Sequence, residues 1–312
     1  MDSIPPLPFW VRAVFALARV AQTLAAATAV LRDEMLLAWI PPARRDAITE
    51  ALFARQRTYA PGGATYDGGL FDWEVELLAL PHVPRTGRVL VGGAGGGREV
   101  AALRARGYQV VAFEPSAPLA RAGADALTPD GTNFVRASYA DLVRAANGDG
   151  GPLAAPLAAL RGPGRGEGVD FVLLGWTSVS YVMEEPDRVA LLRALRTLAP
   201  AAPVCLSFNE PTALNTGGRM ATARRALRRL FATLGAPGQP RDRDRFLAWA
   251  GFFRESDPAE ITALAHGSGY SVAFIASGPG RAVLVPEGTG KGEDEKGGRK
   301  ATEFGTATAT EL

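Results

Sequence analysis

Lysine is nearly missing from this chain: three occur among 312 residues, Lys291, Lys296 and Lys300, all close to the C-terminus. Every other cation is an arginine, and with 36 glycines and 23 prolines this reads as a composition bias before it reads as function. Cysteine is scarcer still. The single thiol, Cys205, excludes a disulfide within the chain, which fits a reducing compartment and a cytoplasmic location. One cysteine and two histidines (His82 and His266) are too few for a structural zinc site, so no metal is expected. The same shortage leaves few candidates for thiol or imidazole chemistry, and both histidines read as structural or solvated. A formal charge of +2 is too mild to call for a nucleic-acid partner.

Long uncharged runs are also lacking. Phe9–Ile40 is strongly apolar, yet Arg12, Arg19, Arg32, Asp33 and Glu34 interrupt it. Its longest uncharged stretch, Val20–Leu31, falls short of the roughly 20 residues that span a bilayer. Nor does the segment have the charge-then-apolar order of a signal peptide. It is expected to be a helix packed in the core or against a partner, such as a second copy in a homodimer. Contact with a membrane surface is the alternative. The rest is an ordinary globular balance, 47% hydrophobic and 21% charged.

Residues 1–80 read as a helical cap or lid. Helices are expected at Pro8–Ile40, at Arg44–Arg57 after the Pro41-Pro42 stop, and at Gly69–Leu80, with a Gly- and Tyr-rich link over Thr58–Gly68. Near Gly87 the period changes. Arg88–Val91, Gln109–Phe113, Asn133–Arg136, Val169–Leu174 and Pro203–Phe208 read as strands, with helices at Arg98–Arg106 and near Asp187–Leu198. Ala145–Gly168 is a Gly/Pro/Ala connection with little pattern of its own. An insertion over 209–255 holds an Arg-rich helix (Arg219–Leu234), a polar turn (Gly238–Asp244) and Phe246–Phe253. Helix Asp257–His266 then leads to strands Tyr270–Ala276 and Arg281–Pro286, joined by a four-residue turn as an antiparallel hairpin. The fold expected is α/β: a Rossmann-like mixed sheet of seven strands over 81–286 with a reversed C-terminal hairpin strand, an N-terminal helical cap and a helical insertion after strand five. Residues 287–312 read as a disordered tail.

Chemistry concentrates at Val89-Leu90-Val91-Gly92-Gly93-Ala94-Gly95-Gly96-Gly97-Arg98-Glu99, which closes a strand and opens a helix. Glycine there permits a tight turn and close approach of a ligand to helix N–H groups. Glu114 closes the next strand, where a carboxylate can accept both hydroxyls of a ribose lying across the strand ends. The dinucleotide fingerprint Gly-x-Gly-x-x-Gly fails from either start, because Arg98 or Val100 stands at the third glycine. An NAD(P)-dependent oxidoreductase is therefore the runner-up.

The segment resembles the class I S-adenosylmethionine-dependent methyltransferases. Their loop reads apolar-apolar-acid-apolar-Gly-x-Gly-x-Gly, and Val89–Gly97 match it everywhere except at the acid, which is Val91. Phe134-Val135-Arg136-Ala137-Ser138-Tyr139-Ala140-Asp141-Leu142 is similar to the segment that brackets adenine, with Ser138 where aspartate is usual. Asp170–Trp176 resembles the fourth strand, and the reversed hairpin is a family hallmark. The resemblance implies S-adenosyl-L-methionine as cofactor, held by Gly93, Ala94, Gly95, Gly97, Glu114, Pro115, Ser138, Tyr139, Gly175 and Trp176. Because strand C-ends face the crevice in an open α/β sheet, Ser178 and Tyr181 after strand four and Asn209 and Glu210 after strand five are expected acceptor contacts. The resemblance adds Tyr59 and Tyr66 from a lid segment. Within the aromatic cluster Tyr59, Tyr66, Phe71 and Trp73, Tyr66 is a candidate to cover the sulfonium, and a hydrophobic seam is the plainer reading. No catalytic residue is assigned, because in-line methyl transfer rests on alignment and needs a base only for an acceptor that carries a proton. Glu210 is the best-placed candidate base. The acceptor expected is a small molecule. A non-catalytic nucleotide-binding protein and an RNA methyltransferase remain as further alternatives, the latter through the insertion's arginines, which are otherwise expected to be a solvated helix face.

Overall fold

Alternating apolar residues give the central sheet two buried faces. The computed structural model describes residues 7–127, 133–160, 168–212 and 218–288. Parallel strands β1 (Arg88–Gly92), β2 (Gln109–Glu114), β3 (Phe134–Arg136), β4 (Phe171–Leu174) and β5 (Val204–Phe208) join the hairpin β8 (Tyr270–Ala276) and β9 (Gly280–Pro286). They form one seven-stranded sheet in the order β3-β2-β1-β4-β5-β9-β8. Strand β9 is antiparallel to β5, pairing Cys205 with Val283, so the terminal hairpin inserts its second strand into the sheet. Leu90, Val111, Val172, Leu174, Val204 and Leu206 face one layer of helices, α7 (Tyr139–Ala146), α8 (Ala154–Leu160), α9 (Glu185–Leu198) and α11 (Pro258–Gly267). Val89, Val91, Val110, Ala112, Phe171, Leu173 and Cys205 face α4 (Asp72–Ala79), α5 (Arg98–Ala105) and α6 (Ala117–Leu127). Runs apolar on both faces are what a parallel sheet covered on both sides requires.

Three sequence expectations change. The connection Ala145–Gly168 contains helix α8, because Ala- and Leu-rich Ala154–Leu160 favours helix and lets Leu157 join the core. The insertion carries its helix α10 (Gly218–Thr233) and also a two-stranded sheet, β6 (Asp244–Leu247) with β7 (Gly251–Arg254). The polar turn therefore ends in a strand, since Asp244 is buried and ion-paired to Arg45 and Arg254. The insertion's arginines are only in part a solvated face: Arg225 and Arg229 are exposed, whereas others are paired. Arg224 and Arg228 bond buried Glu34, Arg243 pairs with Asp257 and Glu260, and Arg245 pairs with Glu255.

Helix α1 (Phe9–Trp39) packs on the body only near its end, where Val30, Asp33, Glu34, Leu37 and Ala38 are buried against α10 and β6. Core packing thus holds for its last turns, and the preceding apolar residues stay exposed because the helix runs past the body. By length and composition α1 is apolar enough to cross a membrane. Helix α2 (Pro42–Phe53) packs on β7, so the cap and the insertion are joined. The expected tail lies outside the described residues from position 289 onward.

Candidate active site

Strand β1 ends in a turn that only glycine makes without cost. Gly93, Gly95 and Gly97 have φ of 67°, 55° and 94°, and Gly97 caps helix α5. Glu114, at the end of β2, reaches this turn. Its Oε2 accepts the Gly95 N–H at 2.9 Å and its Oε1 accepts the Ser116 N–H at 2.9 Å. A carboxylate has about four acceptor positions, so two remain for a ligand. Burial pushes the Glu114 pKa up to about 7, against the opposing pull of the two amides. Pro115 follows, its carbonyl accepting from Arg136 at 3.2 Å.

The Thr58–Gly68 link lies on the glycine loop. Gly96 N–H donates to the Tyr59 carbonyl at 3.1 Å, and a Cβ at Gly96 would stand 2.3 Å from that oxygen. A Cβ on Gly95 would instead have only Tyr59 near it, at 3.9 Å, leaving a cradle a ligand can share. Arg98 ties lid to loop. It bonds both oxygens of Glu74 and Glu99 Oε1, each at 2.6 Å, and the Gly69 carbonyl, while lying 4.0 Å over the Phe71 ring. Burial raises the Glu74 pKa to about 7 although Arg98 opposes it.

The ribose end therefore fits an adenosine-type group; the adenine end is built differently from the expected pattern. Ser138 caps α7, its hydroxyl donating to Asp141 Oδ2 at 2.8 Å and accepting the Asp141 N–H at 3.2 Å. That proton is committed to the cap. Burial works to raise the Asp141 pKa, but the Ser138 bonds and Arg144 outweigh it and hold the group below its usual value. Tyr139 turns toward β1, its hydroxyl 2.5 Å from Ser178 Oγ and its ring edge-on to Phe113. Gly93, Tyr139, Ser178 and Gly175 converge, with Cβ positions on Gly93 and Gly175 only 2.6 Å from Ser178 and 2.5 Å from the Gly93 carbonyl.

Beyond Gly175 the chain bends through Thr177, whose φ of 50° is costly for a β-branched residue. The bend leaves Trp176 40% exposed. From it runs a chain of rings. Trp176 meets Phe71 at 4.8 Å and Tyr59 at 6.3 Å; Tyr59 meets Phe53 at 6.0 Å. Phe53 meets Tyr181 at 5.3 Å, and Tyr181 meets Phe253 at 6.2 Å. Burial raises the pKa of Tyr59 and Tyr181, keeping both hydroxyls neutral. Phe53, Phe253 and Thr177 were not evident in the sequence, where the two phenylalanines sit in a helix end and an unassigned run. Tyr66, on α3 (Ala64–Asp67), lies half-buried in the lid. The Asn209 main chain is pinned by Ser180 Oγ at 2.9 Å and Ser256 N–H at 2.8 Å. Glu210 is drawn to the β8–β9 turn, accepting the Gly278 N–H at 2.7 Å.

A glycine turn and acid at the ends of β1 and β2, in a sheet whose reversed β9 lies between β5 and β8, decide the architecture. The fold is a Rossmann-like mixed α/β sheet of seven strands with a reversed C-terminal hairpin strand, as expected from the sequence. No family model matches the chain, and no curated protein does. Among solved structures, TnmH is 20% identical over 79% of this chain and 59% of its own, with a TM-score of 0.42. The mitomycin 7-O-methyltransferase MmcR is 19% identical over 64% and 48%, with a TM-score of 0.37. The PH0226 protein from Pyrococcus horikoshii OT3 is 14% identical over 75% and 97%, with a TM-score of 0.48. The chain thus spans about half to three-fifths of the length of the first two, and these likenesses concern the fold alone.

Proposed function

We propose that the chain is a methyltransferase that uses S-adenosyl-L-methionine to methylate a small, flat, largely apolar acceptor by in-line transfer. One observation carries the reading: Glu114 is bonded to Gly95 with acceptor capacity to spare, and Tyr59, which packs on that glycine loop, joins it to a run of aromatic rings. When bound, the cofactor supplies an electrophilic methyl group on a sulfonium. Glu114 accepts the ribose hydroxyls, and the ring faces of Tyr59 and Trp176 attract positive charge and exclude water. Holding the acceptor in line is worth several kcal/mol, roughly 7 or more in favourable cases. Tyr59 and Tyr181 stay neutral and Glu210 is turned to the hairpin, so the reading favours an acceptor that ionises by itself, such as a phenol.

Two observations weigh against the alternatives. Arg98 fills the third-glycine position of a dinucleotide loop and is spent on Glu74 and Glu99. Many of the insertion's arginines are paired internally, which removes much of the basic face an RNA would need. We place the enzyme in the cytoplasm. The test is transfer of labelled methyl from S-adenosylmethionine to a panel of phenols, heteroaromatic amines and total RNA. Label on the small molecules is expected. Label on RNA alone overturns the acceptor class, and binding without transfer to any acceptor supports a non-catalytic role.

A further inference from the structure

Helix α1 carries an apolar stripe that the folded body does not use. Trp10, Val14, Leu17, Ala21, Leu24, Thr28, Leu31 and Met35 follow one another at alternating steps of four and three. That is the heptad spacing of a coiled-coil seam, with Leu17, Leu24 and Leu31 repeating every seventh residue. Every member is exposed, Trp10 at 68%, Leu17 at 72% and Leu24 at 62%. The opposite side of the same helix does the docking, through Val30, Asp33, Glu34 and Leu37. The seam therefore points away from the body along its whole length.

The geometry points to a second copy of this chain as the occupant, pairing α1 with α1 along that seam. Its flanks are Val11, Ala13, Ala18, Val20, Ala25 and Ala27. Beside Leu31 and Met35 they are Arg32 and Glu34, each already ion-paired within its own chain, to Asp33 and to Arg224 and Arg228. Self-pairing therefore sets no uncompensated like charges against each other. Arg12 and Arg19 lie seven residues apart on the far side, where a coiled coil keeps its solvated positions. The stripe runs about 38 Å at 1.5 Å per residue. Covering it with its flanks buries on the order of 800 Å² per chain, the size a stable interface needs. A bilayer suits the same surface less well. Arg19 falls in the middle of the projecting part, where a charge costs about 3 kcal/mol. Leu31 and Met35 continue the stripe beside the folded body, beyond where a span would end.

Sedimentation equilibrium of the full chain without detergent, over micromolar concentrations, tests this. The wild type is expected at twice its 32.8 kDa mass. Leu17→Glu/Leu24→Glu is expected to sediment as a monomer, with dissociation at least ~100-fold easier. Ala26→Glu, on the far side, is expected to leave the dimer intact, and circular dichroism melting checks that each variant is folded. Three results overturn the inference: a monomeric wild type, a double variant that remains dimeric, or a monomer that floats with vesicles of phosphatidylcholine and phosphatidylglycerol.

Discussion

Replacing Glu114 by glutamine removes one charge and almost no volume from the centre of the proposed cofactor site. In the native protein the carboxylate accepts Gly95 and Ser116 N–H groups and keeps capacity for two ribose hydroxyls. Bonds to a charged acceptor are worth about 1.5–3 kcal/mol each, so losing two costs the cofactor on the order of 3 kcal/mol, or about 100-fold in Kd. Stability responds in another direction. Burial raises the folded pKa to about 7 from the usual 4.5, so between those pH values the folded state holds a proton that the unfolded state has released. Stability therefore falls as pH rises through that window and levels off above it, by about 3 kcal/mol in all. Glu114→Gln lacks this slope. Cofactor affinity runs the opposite way: the wild type is expected to gain about tenfold per pH unit up to 7 and then level off, while the variant stays flat. Isothermal titration calorimetry with S-adenosylmethionine at pH 6, 7 and 8 reads both effects. A variant Kd within threefold of wild type, or an identical pH profile, refutes the reasoning.

Arg98→Met leaves Glu74 and Glu99 buried without their cation, which costs about 3–5 kcal/mol at pH 8. Scanning calorimetry should show a large fall in Tm that shrinks as pH falls and the carboxylates left without a cation take up protons; an unchanged Tm contradicts the bridge. Gly96→Ala places a Cβ 2.3 Å from the Tyr59 carbonyl, so the lid must lift and the cofactor KM should rise about tenfold. Glu210→Gln retains an oxygen for Gly278 and should leave kcat within about twofold; a loss beyond tenfold makes Glu210 a base after all. Trp176→Ala should raise the acceptor KM with little change in cofactor Kd, measured by steady-state kinetics and calorimetry.

What the sequence disclosed and what it hid divide along physical lines. The strands of the main sheet were legible because each is a short apolar run between turn residues, and the glycine turn because no other residue takes three left-handed φ values in five positions. Glu114 was legible from its distance to that turn. Helix α8 was hidden because Ala154–Leu160 is so rich in alanine that it shows no polar face. The second sheet was hidden because its strands are held by charges: Asp244 and Arg245 look like surface residues until Arg45, Arg254 and Glu255 neutralise them in the interior. The aromatic wall was half visible. Tyr59, Phe71 and Trp176 stand beside recognisable motifs, whereas Phe53 and Phe253, 128 and 72 residues from Tyr181 along the chain, meet it only through tertiary packing. Ser138 shows a subtler gap, since capping α7 with Asp141 leaves its hydroxyl committed.

The account stands on which nucleotide the Gly93–Gly97 turn and Glu114 accept. Titrating the purified full chain in parallel with S-adenosylmethionine, S-adenosylhomocysteine, NADH and NADPH by calorimetry asks that directly. Saturable one-to-one binding of the two adenosyl sulfur compounds, with no heat from either dinucleotide, is the result expected. Binding of NADH or NADPH with none of S-adenosylmethionine would contradict the account at its centre.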